Sequence, residues 1–307
     1  MVADAVPTRV PEMVVISGKG GTGKTSIVAS FATLAKNAVL ADCDVDAADL
    51  YLLLSPDVRR HEPFLSGRVA SICSDLCIEC GECLEHCRYG AVNVNGSRDG
   101  NGLYSINPIA CEGCGVCVRF CPQEAIEFPE RNCGEWFVSE TRAGPMVHAK
   151  LGIAAGNSGK LVSTVRQEAQ KVAAQHKVPL VIVDGPPGVG CPVIASVTGA
   201  SMVLVVTEPT VSGEHDLDRV LQLTRHFKIP AAVCVNKWDV NPAMADRIEQ
   251  KAIELSADVA GRVRYDEKVT ESQVEARAVT EVGGGASGDV RNVWMKVLEI
   301  FEQQRRS

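Results

Sequence analysis

Cys77, Cys80, Cys83 and Cys87 follow the spacing C-x2-C-x2-C-x3-C, and Cys111, Cys114, Cys117 and Cys121 repeat it, the second run closed by Pro122. Thiolates are soft ligands for iron. Three packed this closely wrap one face of a cubane, while the fourth, further round the turn, reaches a neighbouring cluster. The spacing predicts two [4Fe-4S] clusters, one on Cys77, Cys80, Cys83 and Cys121, the other on Cys111, Cys114, Cys117 and Cys87. Zinc also takes four thiolates, but zinc ribbons pair two CxxC units across a longer gap. Arg88 stands where the second run has Pro122 and brings a positive charge near a cluster, which favours the reduced, more negative state. Cys43 and Cys234, in or beside apolar strands, read as small core residues, and Cys73 and Cys133 as structural or spare thiols. Cys191 follows a Gly-Pro loop and is the one further thiol placed to bridge to a ligand; its ordinary alternative is a buried packing residue.

A second chemistry begins at Gly18-Lys19-Gly20-Gly21-Thr22-Gly23-Lys24-Thr25, which satisfies G-x-x-x-x-G-K-[ST] between an apolar strand and a helix. Glycines let backbone N–H groups of Gly20 to Ser26 close round phosphate oxygens at the helix N-terminus. Lys24 is placed to reach the β- and γ-phosphates and Thr25 to hold Mg²⁺. Carboxylates for that ion come from two strand ends, Ala41-Asp42-Cys43-Asp44 and Val181-Ile182-Val183-Asp184, the latter followed by GPPGVG. Asp184 suits a water-mediated Mg²⁺ ligand and Asp44 an orienter of the attacking water, whereas Asp42, Asp46 and Asp49 read as helix caps or solvated groups. The short match Gly156-Asn157-Ser158-Gly159-Lys160 lacks the full loop spacing and is not a second nucleotide site.

The elements that position these residues follow from hydrophobic patterning. Strands at MVVIS, AVLAD, PLVIVD, SMVLVV and AAVCV alternate with helical stretches such as EHDLDRVLQLTRHF. This predicts an α/β fold, a doubly wound, mostly parallel sheet of the P-loop NTPase kind. From about Pro56 to Gly152 the alternation breaks into cysteine-rich turns and a hairpin-like stretch, EWFVSETRAGPMVHAK, which an insertion explains. The domain plan is a flexible N-terminus over 1–11, a nucleotide domain over 12–56 and 150–307, and an insertion over 57–149 holding the cysteine module (about 70–130) and the hairpin. GGGASG, with no strand before it, is a linker or turn. Val290, Val293, Trp294, Val297, Leu298 and Phe301 share one helical face that packs on the domain's own sheet.

A chain of 307 residues with 46% apolar residues can bury a sizeable core, and its net charge of −7 gives no general attraction to nucleic acid or anionic membrane. No segment reaches membrane-spanning length, and the opening MVADAVPTRVPEM has acidic and proline residues where a signal peptide is hydrophobic. A cytoplasmic protein without nucleic-acid or membrane partners is expected.

Lys19 within GKGGTGKT, the DxD after the second strand and the DGPPG loop resemble the MinD/ParA/Mrp (SIMIBI) class of deviant P-loop ATPases. The inserted cysteine module, with EWFVSETRAGPMVHAKL, NSGKLV, DGPPGVGCPVIAS, VTEPT and VNKWD, resembles members of that class carrying an inserted α+β ferredoxin domain. The resemblance covers nearly the whole chain from Met13. It implies slow, partner-stimulated, Mg²⁺-dependent hydrolysis of ATP to ADP in a dimer, formed with itself or with a related ATPase. Lys19 would cross that dimer to the partner's phosphates, as an arginine finger does in trans. Asn236 matches the family's base-reading asparagine, yet Asn236-Lys237-Trp238-Asp239 also fits the NKxD element that reads guanine; the deviant loop favours ATP. Two functions follow. One is an ATPase coupling nucleotide state to electron transfer with a redox protein partner. The other is a scaffold or carrier delivering clusters to an apo-protein client, although the C-terminal CxxC of Mrp-like carriers is absent.

Overall fold

Runs such as MVVI, VIV and VLVV, apolar on both sides of the strand, must be covered on both faces. The computed structural model, which describes residues 9–95, 103–152 and 156–306, sets them at the centre of a sheet. The N-terminal segment predicted to be flexible falls largely on residues 1–8, outside the described residues. Up to the end of the cysteine region the strands are β1 (Glu12–Ser17), β2 (Val39–Asp42), β3 (Asp57–Arg68), β4 (Ser71–Ile72), β5 (Val92–Asn95), β6 (Leu103–Ile106) and β7 (Ile126–Glu127). After it come β8 (Glu130–Thr141), β9 (Gly144–Leu151), β10 (Val181–Pro187), β11 (Met202–Thr207), β12 (Ala231–Asn236) and β13 (Asp258–Val263). The first helices are α1 (Lys24–Ala35), α2 (Leu50–Leu54), α3 (Glu82–Glu85), α4 (Val116–Phe120) and α5 (Ser158–His176). They are followed by α6 (Cys191–Val197), α7 (Val211–His226), α8 (Pro242–Glu254), α9 (Glu267–Val274), α10 (Val279–Val282) and α11 (Gly285–Arg306). None of the described helices is long and apolar enough to cross a membrane.

The chain forms two compact units: a larger one of residues up to Glu62, Trp136–Lys150 and Ser158 onward, and a smaller one of Pro63–Glu135 and Leu151–Asn157. In the larger unit the strands run β13-β12-β11-β1-β10-β2-β9, each of these neighbours parallel, and the sheet order continues through β8 to β3. Val15 stands opposite Asp184 and Leu204, and Asp184 opposite Asp42, so the carboxyl ends of β1, β10 and β2 are level. The chain winds outward from β1 in both directions, and such a switch point leaves a crevice at those ends. Ile27, Val28 and Phe31 of α1 and the buried Val290, Val293, Trp294, Val297 and Phe301 of α11 join Met13, Leu40 and Ile182 in one core. Trp294 packs its ring 4.9 Å from that of Phe31, so the apolar stripe of α11 is used within its own unit, as predicted.

The hairpin exists: β8 and β9 are joined through Arg142 and Ala143. Residues 136–150, however, belong to the larger unit, where β9 lies beside β2 with Leu40 opposite Met146 and Asp42 opposite His148. The sheet is therefore resumed before the boundary at 149/150 that the sequence suggests, because strand partners are chosen by long-range packing rather than by chain order.

The smaller unit repeats itself. β4 pairs with β7 and β5 with β6, both antiparallel. The offset that carries Cys77 to Cys111 also carries Gly81 (φ 82°) to Gly115 (φ 74°), Glu79 (59°) to Gly113 (65°) and Gly90 (60°) to Glu124 (50°). The buried cluster around its cysteines is small, Ala70, Ala91, Val92 and Ile126 with Cys83 and Cys111, and Phe64, Ala125 and Cys133 are buried in the same unit.

Candidate functional site

The turn from β1 to α1 is shaped by its glycines. Gly23 sits at φ 83°, and a Cβ there would lie 2.3 Å from Asn236 Nδ2; one on Gly18 would lie 2.3 Å from Asp216 Cβ. No side chain caps α1 and no acidic residue occupies its first turn. Its N-terminal N–H groups thus open on a pocket lined by residues 20–26, Asp44, Asp49, Leu52 and Pro187. Free N–H groups and a helix dipole at one point suit an anion.

Beside this pocket Lys24 is only 6% exposed, bonded to Asp184 Oδ1 and 3.5 Å from Asp44 Oδ2. Burial opposes its charge, but Asp184 and Asp44 outweigh burial, and its pKa is raised. Asp42, predicted to be a cap or solvated, is instead fully buried; burial first and Asp184 second push its carboxyl well above the usual range. Burial also raises Asp44, with Lys24 opposing and Asp184 adding to it. Asp42 Oδ1 accepts the Asp44 N–H at 3.2 Å, while Asp42 Oδ2, Asp184 Oδ2 and Thr22 Oγ1 are buried without a partner among the described residues. Three carboxylates against one ammonium, two with an orphaned oxygen, are costly unless something satisfies them. The donors are hard oxygens, so Mg²⁺ with its water shell fits.

On the far side of the loop a cavity of about 240 Å³ is lined by Ile27, Asn236, Lys237, Arg264, Tyr265, Asp266, Val269 and Gln273, among others. Asn236 stands in its wall but donates Nδ2 to the Thr22 carbonyl (2.7 Å) and accepts the Lys237 N–H (3.0 Å), so it braces the phosphate loop. Asp239, the last residue of the NKxD match, accepts the Tyr265 N–H at 2.7 Å and is not among the cavity's lining residues. Lys19 bonds within its own chain, to Ser212 Oγ at 3.2 Å and Glu208 Oε2 at 3.3 Å, and Lys237 holds the other Glu208 oxygen at 2.6 Å. Sequence reasoning misses Glu208, Lys237 and Gln273 as participants. Glu208 and Lys237 lie inside VTEPT and VNKWD, segments recognisable by resemblance, whereas Gln273 lies in none.

In the smaller unit two cavities gather the cysteines. One is lined by Cys77, Cys80, Cys83 and Cys121 with Ile72, Tyr104 and Pro122; the other by Cys87, Cys111, Cys114 and Cys117 with Ala70, His86 and Ile106. Each thus holds three cysteines of one run and the fourth of the other. The crossing cysteines are matched in detail, Cys87 Sγ accepting the Ala91 N–H at 3.4 Å and Cys121 Sγ the Ala125 N–H at 3.3 Å. Burial, then Cys77, pushes the Cys83 thiol up to about 11, and burial, then Cys111, raises Cys117. None of the thirteen cysteines is in a disulfide. Among the described residues no three His, Cys, Asp or Glu side chains converge to grip a single ion. A cubane asks for something else, one thiolate at each of four corners round a cavity, and the two lined cavities with their N–H···S donors fit that demand.

The remaining thiols divide as follows. Cys43 and Cys234 are buried, and Cys133 donates to the Ser66 carbonyl at 3.1 Å. Cys73 is half-buried, and Cys191, at the start of α6, is exposed rather than a packing residue.

The model of the CobQ/CobB/MinD/ParA nucleotide binding domain matches residues 13–279. The chain is 35% identical over 234 residues to the uncharacterized protein MJ0578 of Methanocaldococcus jannaschii, 75% of this chain and 79% of that one. A shorter similarity, 39% identity over 59 residues, is to one subunit of the ion-translocating oxidoreductase complex of Methanosarcina acetivorans, 19% of this chain and 20% of that one. The fold is similar to that of the septum site-determining protein MinD of Pyrococcus horikoshii OT3, solved with Mg-ADP (TM-score 0.56, 13% identity, 94% of this chain and 95% of that one). With the family match spanning both arms of the parallel sheet and the glycine loop at its switch point, the chain belongs to the CobQ/CobB/MinD/ParA nucleotide-binding family.

Proposed function

We propose that this protein is a Mg²⁺-dependent ATPase, working as a homodimer or with a related ATPase, that couples its nucleotide state to electron transfer through two [4Fe-4S] clusters. The observation that carries the reading is the pair of four-cysteine cavities in a chain that also holds a phosphate loop. Cys77, Cys80, Cys83 and Cys121 hold one cluster, and Cys87, Cys111, Cys114 and Cys117 the other, within a ferredoxin-like insertion. Such clusters supply one-electron transfer. Two further facts support them. The small core of this unit is part cysteine and carries no disulfide, and a unit so poorly cored needs another staple. The 59-residue similarity to an oxidoreductase subunit points the same way.

In the nucleotide unit the N–H groups of residues 20–26 bind the phosphates and Lys24 turns from Asp184 to the β- and γ-phosphates. Thr25 and, through water, Asp184 serve Mg²⁺, and Asp44 orients the attacking water. The Mg-ADP complex of the MinD relative supports this ion and ligand class. ATP is preferred over GTP because the loop carries the deviant Lys19 and because Asp239, which would read guanine, is not among the residues lining the base cavity. Asn236 acts as wall and brace of the base cavity. Lys19 leaves Glu208 to serve the partner's phosphates.

Anaerobically purified protein is expected to carry about eight iron and eight sulfide per chain; one zinc and no sulfide would remove the redox reading. Mg·ATP is expected to shift the cluster potentials or the rate at which an acceptor is reduced. If both stay unchanged while clusters pass to an apo-protein, the carrier reading replaces it, with exposed Cys191 the thiol to test.

A further inference from the structure

The phosphate pocket and the 240 Å³ cavity share four lining residues: Gly21, Gly23, Ser26 and Gln273. The first three belong to the phosphate loop and the first turn of α1. Gln273 comes from the last turn of α9, far along the chain. In a nucleotide the ribose separates phosphate from base. A ligand with phosphates on residues 20–25 and its base in the cavity must therefore carry its ribose past Gln273.

The side chain is equipped for that position. Gln273 Nε2 donates to Ser26 Oγ at 2.7 Å, which makes Ser26 an acceptor and leaves its own proton to point at a phosphate oxygen. Gln273 Oε1 has no hydrogen-bond partner among the described residues, and the residue is exposed. An idle amide oxygen is an acceptor, and a ribose hydroxyl is a donor. The helix that presents it is pinned at both ends. Asp266 accepts the Lys268 and Ala286 N–H groups at 3.0 Å each, and Arg142 donates to the Ala276 carbonyl at 3.1 Å.

We propose that Gln273 reads the sugar, its Oε1 accepting from a ribose hydroxyl while its Nε2 aims the Ser26 hydroxyl at the phosphate chain. The inference rests on the ATP reading above and deepens it: the ligand is a ribonucleotide, distinguished from its deoxy analogues by an exposed glutamine rather than by the phosphate loop.

The test is equilibrium binding of Mg·ATP, 2′-deoxy-ATP and 3′-deoxy-ATP to the full chain purified anaerobically, for wild type, Gln273→Ala and Gln273→Glu. One hydrogen bond sets the scale, so wild type is expected to bind at least one deoxy analogue about five- to tenfold more weakly than ATP. Gln273→Ala is expected to weaken ATP by a similar factor and to erase the difference between the sugars. Gln273→Glu, which keeps an acceptor but loses the donor to Ser26, is expected to bind all three more weakly and still discriminate. Equal affinities in wild type, or an unchanged ratio in Gln273→Ala, would overturn the inference while leaving ATP binding in place. Failure of ATP itself to bind would overturn the ATP reading and this inference with it. Because Gln273 is exposed, neither substitution endangers the fold, and unchanged unfolding curves serve as the check.

Discussion

Lys24→Met in the nucleotide-free protein removes the ammonium shared by Asp184 and Asp44 and leaves three carboxylates facing one another in a buried site. Removing one partner of a buried pair costs about 3–5 kcal/mol, because the charge left behind has neither water nor counterion. Asp184→Asn removes a carboxylate instead. Lys24 then keeps Asp44 at 3.5 Å, and the repulsion that raises Asp42 and Asp44 falls. Its cost is limited to the exchange of one hydrogen bond, about 1 kcal/mol or less. The two substitutions therefore differ by several-fold although they cut the same bond. The pH dependence has a definite sign. In Lys24→Met the carboxyls that burial already raises lose the cation that lowered them, so the folded chain takes up protons above the ordinary value of 3.8 at which the unfolded chain does. Where the folded state binds more protons, stability falls as pH rises, so the deficit of Lys24→Met shrinks as pH is lowered from neutrality toward 3.8. Trp136, Trp238 and Trp294 all lie in the larger unit, so urea unfolding followed by tryptophan emission reports that unit alone. Equal losses for the two variants, or a Lys24→Met deficit that does not change between pH 7.5 and 5.5, would refute the reasoning.

Iron chelation with oxidation is expected to open the smaller unit, whose cluster around the cysteines buries only four small or medium apolar residues and two cysteines; limited proteolysis should then cut within 63–135, and continued protection there would contradict a stapling role. Lys19→Ala should leave ATP affinity within about threefold and lower hydrolysis by at least about a hundredfold, as loss of a trans cation does. Glu208→Gln removes the ion pair that holds Lys19 within the chain, leaving its contact to Ser212, and should raise basal hydrolysis at a given protein concentration in single-turnover assays. Arg142→Ala breaks bonds to the Leu53 and Ala276 carbonyls and to Glu281, joining α2, the turn after α9 and α10, and should cost about 1–2 kcal/mol in urea unfolding.

How much of this can be read in the sequence depends on the reach of each interaction. The phosphate loop and the crossing of Cys87 and Cys121 are written in short spacings, since both are dictated by local backbone geometry, and the structure gathers these residues as the spacings group them. Asp42 is misjudged because DxD after a strand does not say which carboxylate points into the sheet; only its register opposite Asp184 does. The hairpin falls to the insertion in a sequence reading because β9 pairs with a strand about a hundred residues upstream. Gln273, on a short helix, belongs to no period or motif, and Arg142, although inside a segment that resembles the family, has partners that only the fold brings to it.

One arrangement ties the loop to the residue proposed to act in trans. The phosphate loop is held by the protein's own groups: Thr22 by Asn236, Gly21 by Lys237 at 3.4 Å, and Lys24 by Asp184. Lys237 in turn shares Glu208 with Lys19. A ligand that displaces Lys237 from the loop leaves Glu208 with one cation fewer or draws Lys237 further onto it, and in either case alters the hold on Lys19. Each of these bonds contributes about 1 kcal/mol net, so nucleotide binding need supply only a few kcal/mol of differential contact to move the set together. Separate variants test the chain of contacts: if Lys237→Ala changes the concentration of ATP needed for half-maximal hydrolysis but not the effect of Glu208→Gln, the two lysines do not communicate through Glu208 and the coupling must run elsewhere.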